Sequence, residues 1–500
     1  MRGKFKNVIF IFLVLASLGI FRIEAQAAPA DGDADTEVLP DPESIYSGPF
    51  EHALSAFFSS LDLGGYLKNE TAYRYHEPRS LTKIRNTAYL EARYPINTRA
   101  EVQVSGWYYS DLVYDLYDYD TISARSTRQS EEALVFVEQL PQEKDSPVAE
   151  IRELYADIFL DTVDVRFGKQ FVVWGVLEGN RVVDEVNPMD FRELINLDLL
   201  DYRIPLWTLK IDYFRDDGAY QFLWIPELKF HKPAPPGSEW ELLQQVPNTS
   251  FPESFTFENS EFGVRYSAPM GGAEVSFSYF YTWDDFPVIF RSIEVRDPNS
   301  TPVFFPTYTR IHMFGGTYVK QLGGYIVKGE VAYVLDKYFG ILSKTDRDND
   351  GFLDNNGEVQ KNHLRWGLGL DFNRWGADIS PAIVQWIVPD YDKAMIQGQF
   401  DTSISLFVRK PLPERSAVFQ LLAIYLVNLS ELYTRPEVTF NLTDRFQIST
   451  GMDLFSGKKS KFGAPQASAV SNINVTEESA QFFGNFDAND RLFVEFKYGF

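Results

Sequence analysis

The sequence predicts an all-β fold, a transmembrane antiparallel up-and-down β-barrel of about 18 strands, with 16 as the alternative count. Three observations indicate this fold. Apolar and other residues alternate with a period of two over long segments, as lipid-facing and lumen-facing positions do on membrane strands. Tight turns alternate along the chain with long polar connections. After the N-terminus no stretch is apolar for long enough to form a membrane-spanning helix.

The composition excludes several classes of function. The chain has 500 residues and a formal net charge of −23, whereas a nucleic-acid-binding protein needs a basic face. It contains no cysteine, which excludes disulfide scaffolds, thiolate metal sites, cysteine nucleophiles and covalently attached c-type haem. The five histidines lie in no recognisable arrangement of nucleophile, base and orienting group. We therefore expect neither catalytic residues nor a nucleic-acid partner.

The N-terminus predicts export. A basic start, an apolar run over residues 8–21 and small residues before residue 28 predict a cleaved signal peptide over residues 1–27. The alternative is a membrane anchor, but the apolar run is about 14 residues long and a spanning helix needs roughly 20. We expect residues 28–60 to form an acidic periplasmic lead-in or short helix, and residues 61–500 to form the barrel.

The C-terminal ten residues give the most specific strand signal. Apolar side chains occupy every second position and end on an aromatic residue at the terminus. A soluble edge strand is the alternative, but such strands are usually about 5–6 residues long. A terminal aromatic on a membrane strand resembles the signal that the barrel-assembly machinery recognises, which makes Phe500 the predicted assembly signal. The alternating apolar residues are Leu492, Val494, Phe496, Tyr498 and Phe500.

The same alternation recurs upstream and assigns side chains to the two faces of the wall. In the segment 363–372 it directs Leu368 to the lipid and Gly367 to the lumen, where we expect an arginine to be tolerated. The least regular predicted strands lie at 63–75 and 482–486. The predicted lumen-lining residues carry both charge signs: Arg166, Arg265, Lys328, Glu330, Arg365, Asp371, Arg409, Glu495 and Lys497.

Turn chemistry separates alternate pairs of these strands. Gly, Asp and Asn supply positive φ angles or side-chain-to-backbone hydrogen bonds in tight turns. Short periplasmic turns opposite long extracellular loops are typical of an outer-membrane barrel. The tight turns are predicted at 161–162, 216–218, 269–272, 323–324, 373–376 and 444–445. The long loops are predicted at 110–149, 175–205, 227–259, 284–308, 336–361, 389–401 and 456–490.

The loop at about 175–205 combines dense charge with apolar residues. If it folds into the lumen, its charges can pair with the wall and form a constriction with a transverse field, by which pores gain selectivity. The alternative is an external cap held by salt bridges. The predicted constriction residues are Arg181, Asp184, Glu185, Asp190, Arg192 and Glu193.

The residues that lead into this loop carry a family resemblance. Arg166-x-Gly-Lys-Gln170 is followed by Trp174-Gly175, by Arg181-Val-x-Asp184 and by Asn187-Pro-x-Asp190. This order resembles the outer-membrane β-barrel family of the domain of unknown function 1302 (DUF1302), and more distantly the alginate-export barrels. The resemblance implies a porin-like barrel over most of the chain. It implies no specific activity.

An aspartate-rich segment resembles a calcium loop. Carboxylates at alternate positions, with Gly351 in the sixth place, can surround one Ca²⁺ with oxygen ligands. The twelfth place holds Gly357, where an EF-hand has a bidentate glutamate, so only an isolated calcium loop is predicted. The alternative is a solvated acidic loop. The candidate metal ligands are Asp346, Asp348, Asp350 and Asp354.

Together these features predict a porin-like channel in the outer membrane of a Gram-negative bacterium, through which small solutes diffuse passively. The expected partners are outer-membrane lipid and lipopolysaccharide, the barrel-assembly machinery and the solutes themselves. The alternative function is a barrel that sheathes or docks protein partners of the envelope, such as a component of an exporter. No cofactor is expected apart from the candidate Ca²⁺.

Overall fold

A computed structural model describes residues 60–117, 147–177, 179, 181–194, 199–235, 238–241, 248–297, 303–342, 345–460 and 481–500. The predicted signal peptide and all but the last residue of the predicted lead-in lie outside these ranges. None of the helices within these ranges is long and apolar enough to cross a membrane.

The described residues form mainly β-strands. Two short α-helices, α1 (Val113–Leu116) and α2 (Leu199–Tyr202), lie in loops. The strands are β1 Asp62–Arg74, β2 Ser80–Asn97, β3 Ala100–Asp111, β4 Val148–Phe159, β5 Val163–Gln170, β6 Leu206–Arg215, β7 Gly218–Ile225, β8 Glu261–Met270, β9 Ala273–Trp283, β10 Val288–Ser292, β11 Val303–Thr307, β12 Arg310–Leu322, β13 Tyr325–Gly340, β14 Glu358–Arg374, β15 Ala377–Ile387, β16 Phe400–Leu412, β17 Ala417–Leu426, β18 Glu431–Asn441, β19 Phe446–Ser456 and β20 Arg491–Gly499.

Eighteen of these strands close into one antiparallel barrel. The first and last strands pair from Tyr66 with Gly499 to Arg74 with Arg491, so the sheet has no free edge. Strands β10 and β11 form a separate hairpin, and β9 pairs directly with β12. The predicted fold class and the count of 18 are therefore confirmed.

One of the two irregular predicted strands is wrong. The segment 63–75 corresponds to β1, but the segment 482–486 begins a 3-10 helix, Phe483–Asn489. Its aromatic rings pack against Tyr433 and Phe455 in a buried cluster. The apolar residues of this segment are therefore buried in a loop rather than alternating across the wall.

The two ends of the barrel differ as predicted. Each predicted tight turn joins consecutive strands at one end, and Gly323 has the positive φ of 62° that such a turn requires. Two further turns at this end, 98–99 and 413–416, were not predicted. At the other end the shortest connection comprises residues 427–430 and the longest comprises residues 112–147. The predicted loop at 336–361 is shorter, because β13 continues to Gly340 and β14 begins at Glu358.

The outer face of the wall is apolar. Leu368, Phe277 and Leu492 are each about half exposed on it, as lipid-facing residues of a membrane barrel must be. The prediction that an arginine would be tolerated at Gly367 is wrong, although the predicted facing of this residue is right. It faces inward, but a Cβ atom added there would lie 2.5 Å from Cδ1 of Leu177. An arginine at this position would therefore have to displace the loop that contains Leu177.

Adjacent residues in the middle of β17 give a matched test of the wall. Leu421 faces outward. Gln420 faces inward and is in register with the inward residues Arg409 and Glu437 on the two neighbouring strands. Leu421→Arg should lower the free energy of unfolding by about 2–4 kcal/mol, because the charge enters the lipid near the midplane. Gln420→Arg should cost much less. Urea unfolding in lipid vesicles measures both, and equal losses would contradict the assigned faces.

Candidate functional site

Between β5 and β6 the described residues are 171–177, 179, 181–194 and 199–205, which we call the β5–β6 loop; they pack against the inner face of the barrel. The apolar residues of the loop and inward-facing wall residues of β6, β7, β9, β12, β13 and β15 form one buried cluster. Burial of this apolar surface favours a fixed position for the loop. The loop contributes Val172, Trp174, Leu177, Val182, Val183 and Val186. The wall contributes Leu206, Leu223, Ile225, Phe280, Ile311, Met313, Ala332, Val334 and Val384.

The wall lacks side chains where the loop approaches most closely. A Cβ atom added to Gly263 would lie 2.9 Å from the ring of Trp174. One added to Gly315 would lie 3.1 Å from Cγ1 of Val183. Larger residues at these positions would therefore push the loop away from the wall.

The carboxylate of Glu330 on β13 holds the loop backbone. Its Oε1 accepts hydrogen bonds from the amides of Val176 and Leu177, the latter at 2.7 Å, and its Oε2 accepts one from Val183 at 3.2 Å. Glu330 is 4% exposed. It was predicted to line the lumen, and it faces inward, but its visible role is to satisfy three amides of the loop.

Two of the predicted loop charges pair beside this anchor. Glu185 lies 2.6 Å from the guanidinium of Arg365 on β14 and 3.8 Å from that of Arg181. Burial raises the pKa of the Glu185 carboxyl, but the positive charges of Arg181 and Arg365 lower it by a larger amount. The resulting pKa is about 2. The glutamate is therefore charged, and the nearby cations compensate its loss of hydration.

The loop makes a second charged contact far around the wall. Glu193 lies 3.0 Å from Lys83 and 2.6 Å from Arg85, both on β2, and 3.5 Å from Arg491 on β20. Burial raises the pKa of Glu193, but Arg85 and Lys83 outweigh it and hold the pKa well below its usual range. In the 18-strand ring, β13 is the eleventh strand and β2 the second. Strand β13 with Glu330 and strand β2 with Lys83 and Arg85 therefore lie on opposite sides of the barrel, nine strands apart.

The remaining loop charges pair close to these contacts. Asp184 pairs with Arg203, and its Oδ1 accepts a hydrogen bond of 3.2 Å from the amide of Trp174. Asp190 pairs with Arg192 at 2.6 Å, and Arg192 also donates a hydrogen bond to the hydroxyl of Tyr109 on β3. The structure thus brings all six predicted loop residues into contacts within the loop or with the inner wall.

The nine predicted lumen residues all face inward but have different surroundings. Glu330 and Arg365 are covered by the loop. The others have polar or aromatic neighbours on the wall. These are Arg166 with Asp157 at 2.7 Å, Lys328 with Asp371 at 2.6 Å, Arg409 with Asp378 at 3.9 Å, Glu495 with Lys68 at 4.0 Å, Lys497 over the ring of Tyr66 at 4.4 Å, and Arg265 in register with Gln221 and Ser278.

A narrow cavity remains between the loop and the inner face of β13–β17. We call it the slot. On the loop side it is bounded by Leu177 and Gly179. On the wall side it is lined by Lys328, Gly369, Asp371, Ser380, Pro381, Ala382, Ser405, Phe407, Leu422 and Ile424.

Sequence reasoning missed the charged residues at the second contact. Lys83 and Arg85 occupy inward positions of β2, which period-two alternation would have found had β2 been assigned. Arg491 belongs to the inward set of the predicted C-terminal strand, β20, but its contact with the loop was not predicted. Sequence reasoning also missed Glu431, whose carboxylate accepts hydrogen bonds from the amides of Phe482 and Phe483 at 3.1 and 2.7 Å. Glu431 thus holds the β19–β20 loop as Glu330 holds the β5–β6 loop.

The aspartate-rich segment brings together three of its four predicted ligands. Carboxylate oxygens of Asp346, Asp348 and Asp354 lie within 4.8 Å of one another. Asp350 instead accepts a hydrogen bond from the amide of Phe352 at 2.8 Å. Asp346 pairs with Arg296 at 2.9 Å. Oxygen ligands of this kind suit Ca²⁺, and the calcium site stays a prediction.

A family model described as a protein of unknown function (DUF1302) matches residues 81–490. No curated protein matches the chain.

Solved structures with similar topology are distant. OccAB2 of Acinetobacter baumannii has a TM-score of 0.47 at 9% identity, with 89% of this chain and 98% of that chain covered. OccK8 (OprE) of Pseudomonas aeruginosa has a TM-score of 0.46 at 9% identity, with 89% and 99% covered. An anion-selective porin from Comamonas acidovorans has a TM-score of 0.37 at 11% identity, with 88% and 99% covered. At this level of similarity the matches carry no argument about function.

The Glu330 anchor can be tested directly. Glu330→Ala would leave three loop amides without their acceptor, and each unsatisfied buried donor costs about 1–3 kcal/mol. Hydrogen exchange measured by mass spectrometry should therefore be faster in peptides from residues 171–194. The control is Glu437→Ala, an inward glutamate that bonds to Arg435 and Thr439 on its own strand. Equal protection of the loop in both variants would contradict the anchor.

The calcium prediction has its own measurement. If Asp346, Asp348 and Asp354 bind Ca²⁺ in the folded state, millimolar calcium should raise the thermal stability of the protein by mass action. Asp348→Ala should abolish this gain. The control Asp390→Ala, which removes an exposed carboxylate paired with Lys361, should retain it. A wild-type protein insensitive to calcium would indicate a solvated acidic loop.

Proposed function

We propose that this chain, which belongs to the DUF1302 family, is a porin-like channel of the Gram-negative outer membrane that lets small solutes diffuse passively. We further propose that the β5–β6 loop is its constriction. The observation that carries the proposal is the position of this loop, which contacts opposite sides of the inner wall and leaves the slot beside it.

The wall supports a membrane location. A closed barrel leaves no backbone edge unpaired, and its outer face presents apolar residues along the strands. Outer-membrane lipid and lipopolysaccharide would cover this face. Phe500 lies at the turn end, where its amide bonds to the carbonyl of Gly65 at 3.1 Å. This position is consistent with its proposed recognition by the barrel-assembly machinery before closure.

The constriction would owe its selectivity to paired charges. Arg181, Glu185 and Arg365 on one side of the loop and Glu193 with its three basic partners on the other produce local fields of both signs. Charges held at such close quarters set barriers for ions and orient dipolar solutes. This supports weak selectivity for ion sign, despite the net charge of −23.

A second function is favoured by the extent of the buried cluster under the loop. Wall residues such as Phe280 and Met313 are almost completely buried inside the barrel, so the loop fills the part of the lumen beside them. A permanently filled barrel would suit a scaffold that docks or sheathes partner proteins of the envelope. Conductance in planar lipid bilayers separates the two functions, because the scaffold would show none.

The slot makes a specific prediction about conductance. Leu177 forms its loop side, so Leu177→Ala should widen it and raise the single-channel conductance. The control Val186→Ala removes a buried loop side chain that does not line the slot, and its conductance should equal that of the wild type. An open channel with equal conductance in all three proteins would place the conducting path elsewhere.

A further inference from the structure

The wall of the slot is unusual for a water-filled barrel, whose inner face is normally polar. Phe407 on β16 and Leu422 and Ile424 on β17 face inward, and they line the slot opposite Leu177. The strand register places Phe407 directly across from Leu422. Three neighbouring inward positions therefore form an apolar strip.

This strip differs from the apolar wall under the β5–β6 loop. There, Phe280 and Met313 are 0% and 1% exposed, because the loop covers them. Phe407, Leu422 and Ile424 are only partly buried. The first set stabilises the loop by burial. In the second set, Leu422 and Ile424 also pack against the buried cluster around Phe455. Their remaining exposed apolar surface and that of Phe407 line the slot, where it would gain from contact with the apolar part of a solute.

Polar groups lie at the edges of the strip. Lys328 and Asp371 form an ion pair of 2.6 Å at the turn side of the slot. Ser380 and Ser405 contribute hydroxyl groups to the same lining. A solute that contacts this lining would therefore meet an apolar surface along the strip and charged groups near one end.

We infer that the slot favours amphipathic solutes with a compact aliphatic or aromatic body and a charged or zwitterionic group, over uniformly polar solutes of the same size. This inference rests on the proposed channel function and specifies the class of solute. The apolar strip would lower the barrier for the body, while the Lys328–Asp371 pair would interact with the charged group of the solute.

Swelling of proteoliposomes can test this preference with matched solutes. Leucine and asparagine are similar in size and both zwitterionic, and methionine and glutamine form a second pair. The wild-type channel should admit leucine faster than asparagine by roughly threefold or more, the factor that about one buried methylene supplies. Methionine should likewise enter faster than glutamine.

The double variant Leu422→Ser/Ile424→Ser should remove the preference. Val418→Ser is the matched control, because Val418 lies on the same strand and inward face but outside the slot. Retention of folded barrel in each variant is checked by its heat-modifiable migration on gels. The control should keep the wild-type ratio of swelling rates.

The outcomes separate the two claims. If no solute causes swelling, the proposed channel fails and the inference fails with it. If all solutes enter at similar rates, or the polar member of each pair enters faster, the channel stands and the inference is overturned. An unchanged preference in the double variant would also overturn it, because the apolar strip would then not be its cause.

Discussion

The packing of the β5–β6 loop on one half of the inner wall is the constraint on which the interior of this barrel depends. A closed ring of 18 strands would otherwise surround a wide lumen. Apolar inward residues such as Phe280 and Met313 would then face water. The loop covers them, and wall glycines such as Gly315 allow it to approach. The apolar inner wall and the apolar side of the loop are therefore parts of one core.

Polar contacts fix the loop at both ends of its path. The Glu330 carboxylate satisfies amides near its start, and Glu193 meets Lys83 and Arg85 on the opposite side of the ring. A buried glutamate without partners would be costly, so each carboxylate specifies where the loop can lie. The loop lies between these contacts and leaves space at its flank. The slot is part of that space, and its wall is made by β13–β17.

Local patterns in the sequence were sufficient to predict the strands and turns of the barrel wall. Alternation assigned Leu368 to the outer face and Arg365 to the inner face, and glycine predicted the turn at Gly323. The charge density of residues 181–193 also drew attention to the loop. What these patterns do not contain is contact between distant segments. Nothing near Gly367 indicates that Leu177 lies over it, and the inward Phe280 looks like a lapse in alternation until the loop that covers it is known. The aromatic residues at 482–486 were likewise predicted to form a strand, because the sequence does not show the buried cluster in which they pack.

A disulfide between the loop and the wall would test most directly whether the channel lies beside a fixed loop. The chain has no cysteine, and a Cβ atom built on Gly315 lies 3.4 Å from Cβ of Val183, close to the spacing in disulfides. The Ser278 hydroxyl lies 2.6 Å from that Cβ position, so the cysteine variant also carries Ser278→Ala to make room for the new side chain. We expect Val183→Cys/Gly315→Cys to cross-link on oxidation and to conduct equally before and after reduction. Failure to cross-link would contradict the position of the loop, and a channel that opens only after reduction would contradict a fixed loop with a path beside it.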